Sequence, residues 1–302
     1  MMTMNVEDRA RELRGQRVPY VHARVVLAEA PTSAKPGAEA LVLPDGTIEG
    51  FVGGNCAEST VRAQGLALLD SGDSLLLRIT PTPEASQSGK LVVHNPCLSG
   101  GTLEIFMEPV LPDPTMVVIG SAPVAEALLA IGGQLGFHAV RCDEADADAL
   151  AAAVADAAAV VVASHGRDEE AALAAALAAD VPYVGLVASR KRGEAVIASL
   201  DFCAGHTSRI HSPAGLDIGA RTPAEIALSI MSEIVSLRPR PSGRPVADAE
   251  PATESAIDPV CGMTVAMVDA SLHLDHEGER WWFCGSGCLR AFASNPEAYR
   301  AP

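Results

Sequence analysis

From residue 115 the chain alternates short apolar runs with amphipathic segments. That is the pattern of a sheet buried on both faces with helices packed over it. Residues 116–119 are apolar and mostly β-branched, which predicts a strand. Gly120, Ser121 and Ala122 then make a small-residue turn, and Pro123 stands where a first helical residue falls, its φ already suited and no amide left unpaired. A periodic apolar helix is predicted to run to Leu135, with Gly136 as its stop. Strands at 137–142, 159–163 and 183–187, with helices at 146–155, at 169–179 and from about 189, continue the alternation. Thr222, Pro223 and Glu225 supply the cap, first-turn proline and third-position acid of a last helix, ending near residue 237.

The preceding part has a different rhythm. It reads as a helix over 7–14, strands over 21–27, 39–43 and 47–52, and a helix from Asn55 to about residue 69. Asn55 is the expected cap of that helix, with Glu58 three residues on. Strands over 74–79, 91–94 and 102–107 follow, and residues 108–114 form a proline-punctuated boundary. Beyond residue 237 a Pro-, Ala-, Glu- and Ser-rich stretch without periodicity reads as a mobile linker. The expected organisation is α/β: an N-terminal α+β domain (1–110), a Rossmann-like doubly wound parallel sheet domain (114–237), a linker (238–256) and a small Cys-rich module (257–302) with strands around His273 and Trp281.

The chain has 302 residues, 48% of them hydrophobic and 20% charged, enough apolar material for sizeable cores. A formal net charge of -16 argues against a nucleic-acid binder, which would carry a basic face. No apolar run reaches the ~20 residues that span a bilayer, and the N-terminal residues lack a signal-peptide pattern, so the expected location is cytoplasmic. Seven cysteines, an odd number scattered through the chain, suit reduced thiols or metal ligands better than a disulfide framework.

Four groups of residues carry candidate chemistry. Cys56 follows Gly53 and Gly54 at a helix start, where the helix dipole favours a thiolate; the alternative is a small buried cysteine in a tight turn. Cys97 lies on a second loop beside a Gly-Gly pair, and the two loops could converge on one pocket. In the parallel sheet domain the strand-end loops share one edge, the edge at which ligands bind. That edge should gather Gly120, Ser121, Ala122, His165, Ser189 and Arg190, with Asp143 where a ribose-binding carboxylate sits and an inward-facing Asp217 and Arg221. The basic run at 190–192 is either a phosphate seat or a solvated face. Finally Cys261, Cys284 and Cys288 stand in a module too small for an independent core, a setting that usually calls for a metal or disulfide staple. Three thiolates suit Cu(I) or Zn(II), with His273 or His276 available to complete a tetrahedral zinc site; reduced core cysteines are the alternative.

Residues from about 18 to 237 resemble the XdhC/CoxI family of molybdenum-hydroxylase accessory proteins. The resemblance is carried by Gly50-Phe-Val-Gly-Gly-Asn-Cys56, Cys97-Leu-Ser-Gly-Gly-Thr-Leu-Glu-Ile-Phe-Met-Glu-Pro109, Tyr183-Val-Gly-Leu-Val-Ala-Ser-Arg190 and Gly215-Leu-Asp-Ile-Gly-Ala-Arg-Thr-Pro-Ala-Glu-Ile226. Val118-Ile-Gly-Ser-Ala-Pro123 departs from the Gly-Ala-Gly-His pattern common in xanthine dehydrogenase accessories. With the Ser-Gly-Gly after Cys97 it looks more like the CoxF-like branch associated with carbon monoxide dehydrogenase. Residues 257–300 resemble a YHS domain through Asp258-Pro-Val-Cys-Gly-Met263, Phe283, Cys284, Cys288, Phe292, Pro296 and Tyr299. The usual Tyr-Phe-Cys-Ser is here Trp282-Phe283-Cys284-Gly285. The resemblance implies binding of molybdenum cofactor as a molybdopterin cytosine dinucleotide, help with its sulfuration, and delivery to an apo molybdenum hydroxylase such as the carbon monoxide dehydrogenase large subunit. It also implies a sulfur-donating cysteine desulfurase as partner, a homodimer, and membrane-associated partners only indirectly. The dinucleotide would lie between the Cys-bearing loops and the strand-end loops, its metal-bearing end toward Cys56 and Cys97. An NAD(P)-dependent oxidoreductase and a zinc-stapled structural adaptor are the competing classes. The absence of a G-x-G-x-x-G argues against the first.

Overall fold

The computed structural model describes residues 5–85, 89–95, 101–143, 146–200, 208–238 and 254–299. The chain divides into two compact units, one made of residues 1–112 with 241–302 and the other of residues 113–240. Among the described residues, no helix is long and apolar enough to cross a membrane.

In the first unit six strands form one sheet: β1 (Tyr20–Glu29), β2 (Glu39–Val42), β3 (Ile48–Gly50), β4 (Leu75–Thr80), β5 (Leu91–His94) and β6 (Thr102–Val110), in the order β3-β2-β1-β6-β4-β5. All neighbours are antiparallel except β4 and β5. Alternation puts one row per pleat inward: Val25, Ile105 and Leu77 lie side by side across three strands, as do Ala23, Met107 and Leu75. Helix α2 (Asn55–Ser71) closes this face with Ala57, Val61 and Leu68. Each fully buried aliphatic side chain there contributes about 1.5–3 kcal/mol. Helix α1 (Val6–Gly15) sets Ala10 and Leu13 against Tyr20 and Leu41.

Two details differ from the sequence reading. Strand β6 continues through Pro109, opposite Val21, rather than ending at residue 107. The β4 pairing stops at Met107, so one flank of the strand is open there and a proline is tolerated. The cap of α2 is Gly54, not Asn55: Gly53 turns at φ +150°, the helix begins one residue early, and no side-chain cap forms. Cys56 is therefore the second helical residue.

The C-terminal residues form two small hairpins and a helix: β12 (Ser255–Ile257) with β13 (Thr264–Ala266), β14 (Leu272–His276) with β15 (Glu279–Phe283), then α8 (Ser286–Ser294). Phe292, fully buried, gathers Trp281, Phe283 and Tyr299 with ring centroids 5.0, 5.3 and 6.4 Å away. The module gains further core by docking, with Ala266 and Val268 packing on Ala63, Leu66 and Leu69 of α2. Most of the expected linker, residues 239–253, lies outside the described residues.

The second unit is an all-parallel five-stranded sheet, β7 (Thr115–Ile119), β8 (His138–Cys142), β9 (Ala157–Val162), β10 (Tyr183–Leu186) and β11 (Ile210–His211), in the order β11-β10-β9-β7-β8. Helices α3 (Pro123–Gln134) and α7 (Pro223–Leu237) cover the face carrying Met116, Val118, Ala159 and Val161. Helices α4 (Ala147–Val154), α5 (Glu169–Ala178) and α6 (Arg190–Ser199) cover the face carrying Val117, Val160, Val162 and Val184. This is the doubly wound arrangement. Its switch point falls at β7, from which the chain leaves first to β8 on one side and then to β9 on the other.

Glu233 on α7 ties this unit together. Its carboxylate accepts from Tyr183 Oη at 2.6 Å and Gly215 N at 2.8 Å, and meets His211 Nδ1 at 3.1 Å. Burial first, and the carboxylate second, push the Tyr183 hydroxyl pKa up, so it remains a donor. Glu233→Ala leaves the buried Tyr183 hydroxyl and the half-buried Gly215 amide without their acceptor. Its unfolding free energy should fall by about 1–3 kcal/mol in denaturant titration of the whole chain.

Glu225 closes the capping box of α7, accepting from the Thr222 and Arg221 amides while Thr222 Oγ1 accepts from Glu225 N. Those amides hold its pKa below the usual carboxylate value. A depressed folded-state pKa adds stability above the ordinary carboxylate pKa and loses it as pH falls through the folded value. The stability gap between wild type and Glu225→Gln should therefore be present at neutral pH and close on acidification, as read by thermal melts across that range.

Candidate metal centre

The C-terminal module assembles its thiols around one buried acid. Asp258 is fully buried; its Oδ1 accepts from Val260 N at 2.9 Å and its Oδ2 from Cys284 N at 2.8 Å. Backbone bonds from Asp258 N to Met263 O and from Gly262 N to Asp258 O, both 2.8 Å, close the loop that carries Cys261. Cys284 directly follows β15, and Cys288 lies in the first turn of α8, whose cap is Gly285. The Sγ atoms of Cys261 and Cys284 are 3.5 Å apart, and those of Cys284 and Cys288 3.8 Å. Asp258, Cys261, Cys284 and Cys288 each offer a ligand atom within 4.8 Å of the others and together could hold a metal ion.

The electrostatics fit that use. The Cys261 pKa is lowered, chiefly by the hydrogen bond from Cys284. The Cys284 pKa is pushed up, by Cys261 first and Cys56 next. Burial and then the Asp258 charge push Cys288 up to about 12. A first thiolate is thus welcome and further ones are opposed, unless a cation reverses the local field.

The histidines expected to complete the site do not face it as ligands. His273 Nδ1 meets Ser271 O at 3.0 Å while its ring leans on Trp282, and the His276 ring stands edge-on to Phe292. The fourth donor of the group is the Asp258 carboxylate, which the spacing of cysteines and histidines concealed.

Cys56 reaches the same place from α2. Its Sγ lies 4.0 Å from that of Cys284, and it packs with Met263, Val265 and Trp282. Gly53 is buried, and its close approach is to its own helix: an added Cβ would lie 2.8 Å from that of Ala57. Gly54 is open. A cavity of about 1030 Å³ spreads beside these thiols, bounded also by Pro31, Ile79 and Leu103. Cys97 lies outside the described residues.

In the parallel sheet unit, the turn at 120–122, Asp143, His165, Ser189 and Arg190 all follow carboxyl ends of parallel strands, so they share one edge. Gly120 is required there by the chain itself: at φ +106° an added Cβ would meet Ala163 O at 2.6 Å. Ser121, Asp143, His165, Ser189 and Arg190 are exposed. Ser189 caps α6 through Arg192 N. Of the basic run, Arg192 turns inward to pair with the buried Glu169, which also accepts from Gly166 N at 2.8 Å, leaving Arg190 and Lys191 on the surface. Asp217 and Arg221, expected to face inward, are both exposed. The inward group of that loop is the Gly215 amide, held by Glu233.

Asp258→Ala leaves the Val260 and Cys284 amides without their acceptor. It should destabilise the C-terminal module by about 1–3 kcal/mol, seen as faster amide exchange over residues 258–263 and 284–288, with exchange in residues 115–119 unchanged.

Residues 13–80 match the XdhC and CoxI family, residues 116–234 the XdhC Rossmann domain, and residues 256–302 the YHS domain. The chain is 27% identical over 259 residues to "Uncharacterized protein YqeB" of Escherichia coli (strain K12), a match covering 78% of this chain and 46% of that protein. It is 26% identical over 160 residues to a probable xanthine dehydrogenase subunit of Bacillus subtilis (strain 168), covering 46% and 47%. The chain thus spans about half the length of the curated relatives it matches. Among solved structures, a crystal structure titled as a xanthine dehydrogenase from Bacillus halodurans aligns with a TM-score of 0.36 and 17% identity, over 81% of this chain and 99% of that one. The chain thus carries, in order, a segment of the XdhC and CoxI family, an XdhC Rossmann domain and a C-terminal YHS domain.

Proposed function

We propose that this protein is an accessory factor for maturation of a molybdenum hydroxylase. It binds the molybdenum cofactor as a cytosine dinucleotide, assists its loading with sulfur and metal, and hands it to the apo-enzyme. The observation that carries this reading is the presence of both XdhC segments in one chain. The parallel sheet supports it. The β7–α3 turn lies at the switch point, Ala122 brings no side chain to cap α3, and the dipole of that helix start suits a pyrophosphate. Arg190, exposed on the same edge, is the proposed phosphate contact. The client we favour is a carbon monoxide dehydrogenase pairing molybdenum with copper. The Val118–Pro123 turn and the Ser-Gly-Gly at 99–101 support that choice, as does a thiol-rich module in the chain. Sulfur would come from a cysteine desulfurase. The centre at Cys261, Cys284 and Cys288 takes Zn(II) or Cu(I), both suited to thiolates.

The direct test is mass and ultraviolet-visible analysis of ligand carried by the whole chain, with maturation of the client in cells with and without it. A molybdopterin dinucleotide on the chain, and a client lacking sulfurated cofactor without it, are expected. A nicotinamide dinucleotide on the chain, or a fully active client in its absence, overturns the reading. A client that oxidises xanthine rather than carbon monoxide would move the choice of enzyme alone. Arg190→Ala removes a charge-assisted contact of about 1.5–3 kcal/mol, so calorimetry should show dinucleotide affinity falling by roughly ten- to a hundredfold.

A further inference from the structure

We propose that Cys56 is a ligand of the C-terminal metal centre, so that one ion is held by four sulfurs: Cys56 from the N-terminal sheet domain and Cys261, Cys284 and Cys288 from the YHS domain. A tetrahedral zinc–thiolate site with bonds of about 2.3 Å has sulfur–sulfur edges of about 3.8 Å. From Cys284 the edges to Cys261, Cys288 and Cys56 are 3.5, 3.8 and 4.0 Å. Cys284 thus has three sulfur neighbours near tetrahedral spacing; the third, Cys56, approaches from α2 and stands outside the group of four ligand atoms that lie within 4.8 Å of one another, which it would join on metal loading.

Asp258 is the rival for the fourth position, and its bonding assigns it another task. Each carboxylate oxygen already holds a backbone amide, one in the Cys261 loop and one at Cys284 itself, so the acid orients the ligand loops. Cys56, by contrast, stands in the first turn of α2, whose dipole favours the thiolate a metal requires. Met263, Val265 and Trp282 pack against the sulfurs, an apolar flank that suits soft donors and a soft ion. Position 285 lies directly against α2: an added Cβ would be in ordinary contact with Cys56 Sγ, at 3.6 Å. The ion would therefore bridge the two domains of this unit, on the wall of the cavity they share.

The test uses the full chain, reduced and metal-free, then loaded with one equivalent of Zn(II) or of ¹¹³Cd(II). With Zn(II), alkylation mapped by mass spectrometry should show Cys56, Cys261, Cys284 and Cys288 protected together. Cys56→Ser should weaken Zn(II) binding in chelator competition by more than the roughly 10–100-fold lost with a supporting partner, and move the ¹¹³Cd resonance from the four-sulfur to the three-sulfur region. The proposal is overturned if Cys56 alkylates as fast in the Zn(II)-loaded protein as without metal. It is equally overturned if Cys56→Ser leaves resonance and affinity unchanged, which would return the fourth position to Asp258. Should the variant fail to fold, the wild-type footprint decides alone. None of these readouts involves a client enzyme, so their failure would leave the proposed function standing.

Discussion

Three thiols and a carboxylate gathered within 4.8 Å cannot all carry charge in isolation. Two like charges about 4 Å apart repel by roughly 4 kcal/mol at the effective dielectric of a protein. That is a large part of the stability of a small module, whose core is a few aromatic residues around Phe292, the cluster of Met263, Val265 and Trp282, and its docking on α2. Two features ease the constraint. Asp258 directs its charge to two backbone amides, and the Cys261 pKa is lowered while those of Cys284 and Cys288 are raised. A cation would satisfy the same geometry more completely, since it needs no redistribution of protons among the sulfurs beyond their release.

Asp258 is one of several acids used in the same manner. Glu233 holds the Gly215 amide, Glu169 the Gly166 amide, and Glu225 the amides of Arg221 and Thr222. Each of these amides lies in a loop that carries a candidate site residue or leads into the helix after it. Loops that expose functional side chains cannot bury enough apolar surface to fix themselves. An anchored carboxylate supplies the order instead, from the helix that follows the loop or, for Asp258, from within the loop itself. His165 and Asp168, both left-handed at φ +53° and +51°, show the strain such anchoring can sustain beside Glu169.

This also explains what could be read from the residues alone. The parallel sheet was legible because its strands are continuous apolar runs and its last helix announces itself with Thr222, Pro223 and Glu225. The gathering of Cys261, Cys284 and Cys288 was legible because thiols crowded into a small module have few other uses. Glu233 was not, because an acid beside the apolar stripe of α7 looks like solvent-facing charge until the partners from β10 and β11 are in place. Arg192 was grouped with its basic neighbours for the converse reason: its partner Glu169 lies twenty-three residues away and points inward. The inward placement of Asp217 and Arg221 failed because a glycine-rich loop can turn its amide, rather than its side chains, toward the core.

Cys56 is the most instructive residue. Its local setting resembles that of Cys97, and similarity of setting suggested convergence of those two loops. Spatial proximity follows from packing, however, and the start of α2 was open to a second partner. The apolar residues Ala63, Leu66 and Leu69 lie farther along the same helix, where they receive Ala266 and Val268. A rigid helix docked by its middle turns fixes its first turn as well, so the contact at Ala266 carries Cys56 to Cys284. The chemistry at one end of α2 is thus set by hydrophobic burial at the other, and replacing Leu66 would reach the sulfurs without touching them.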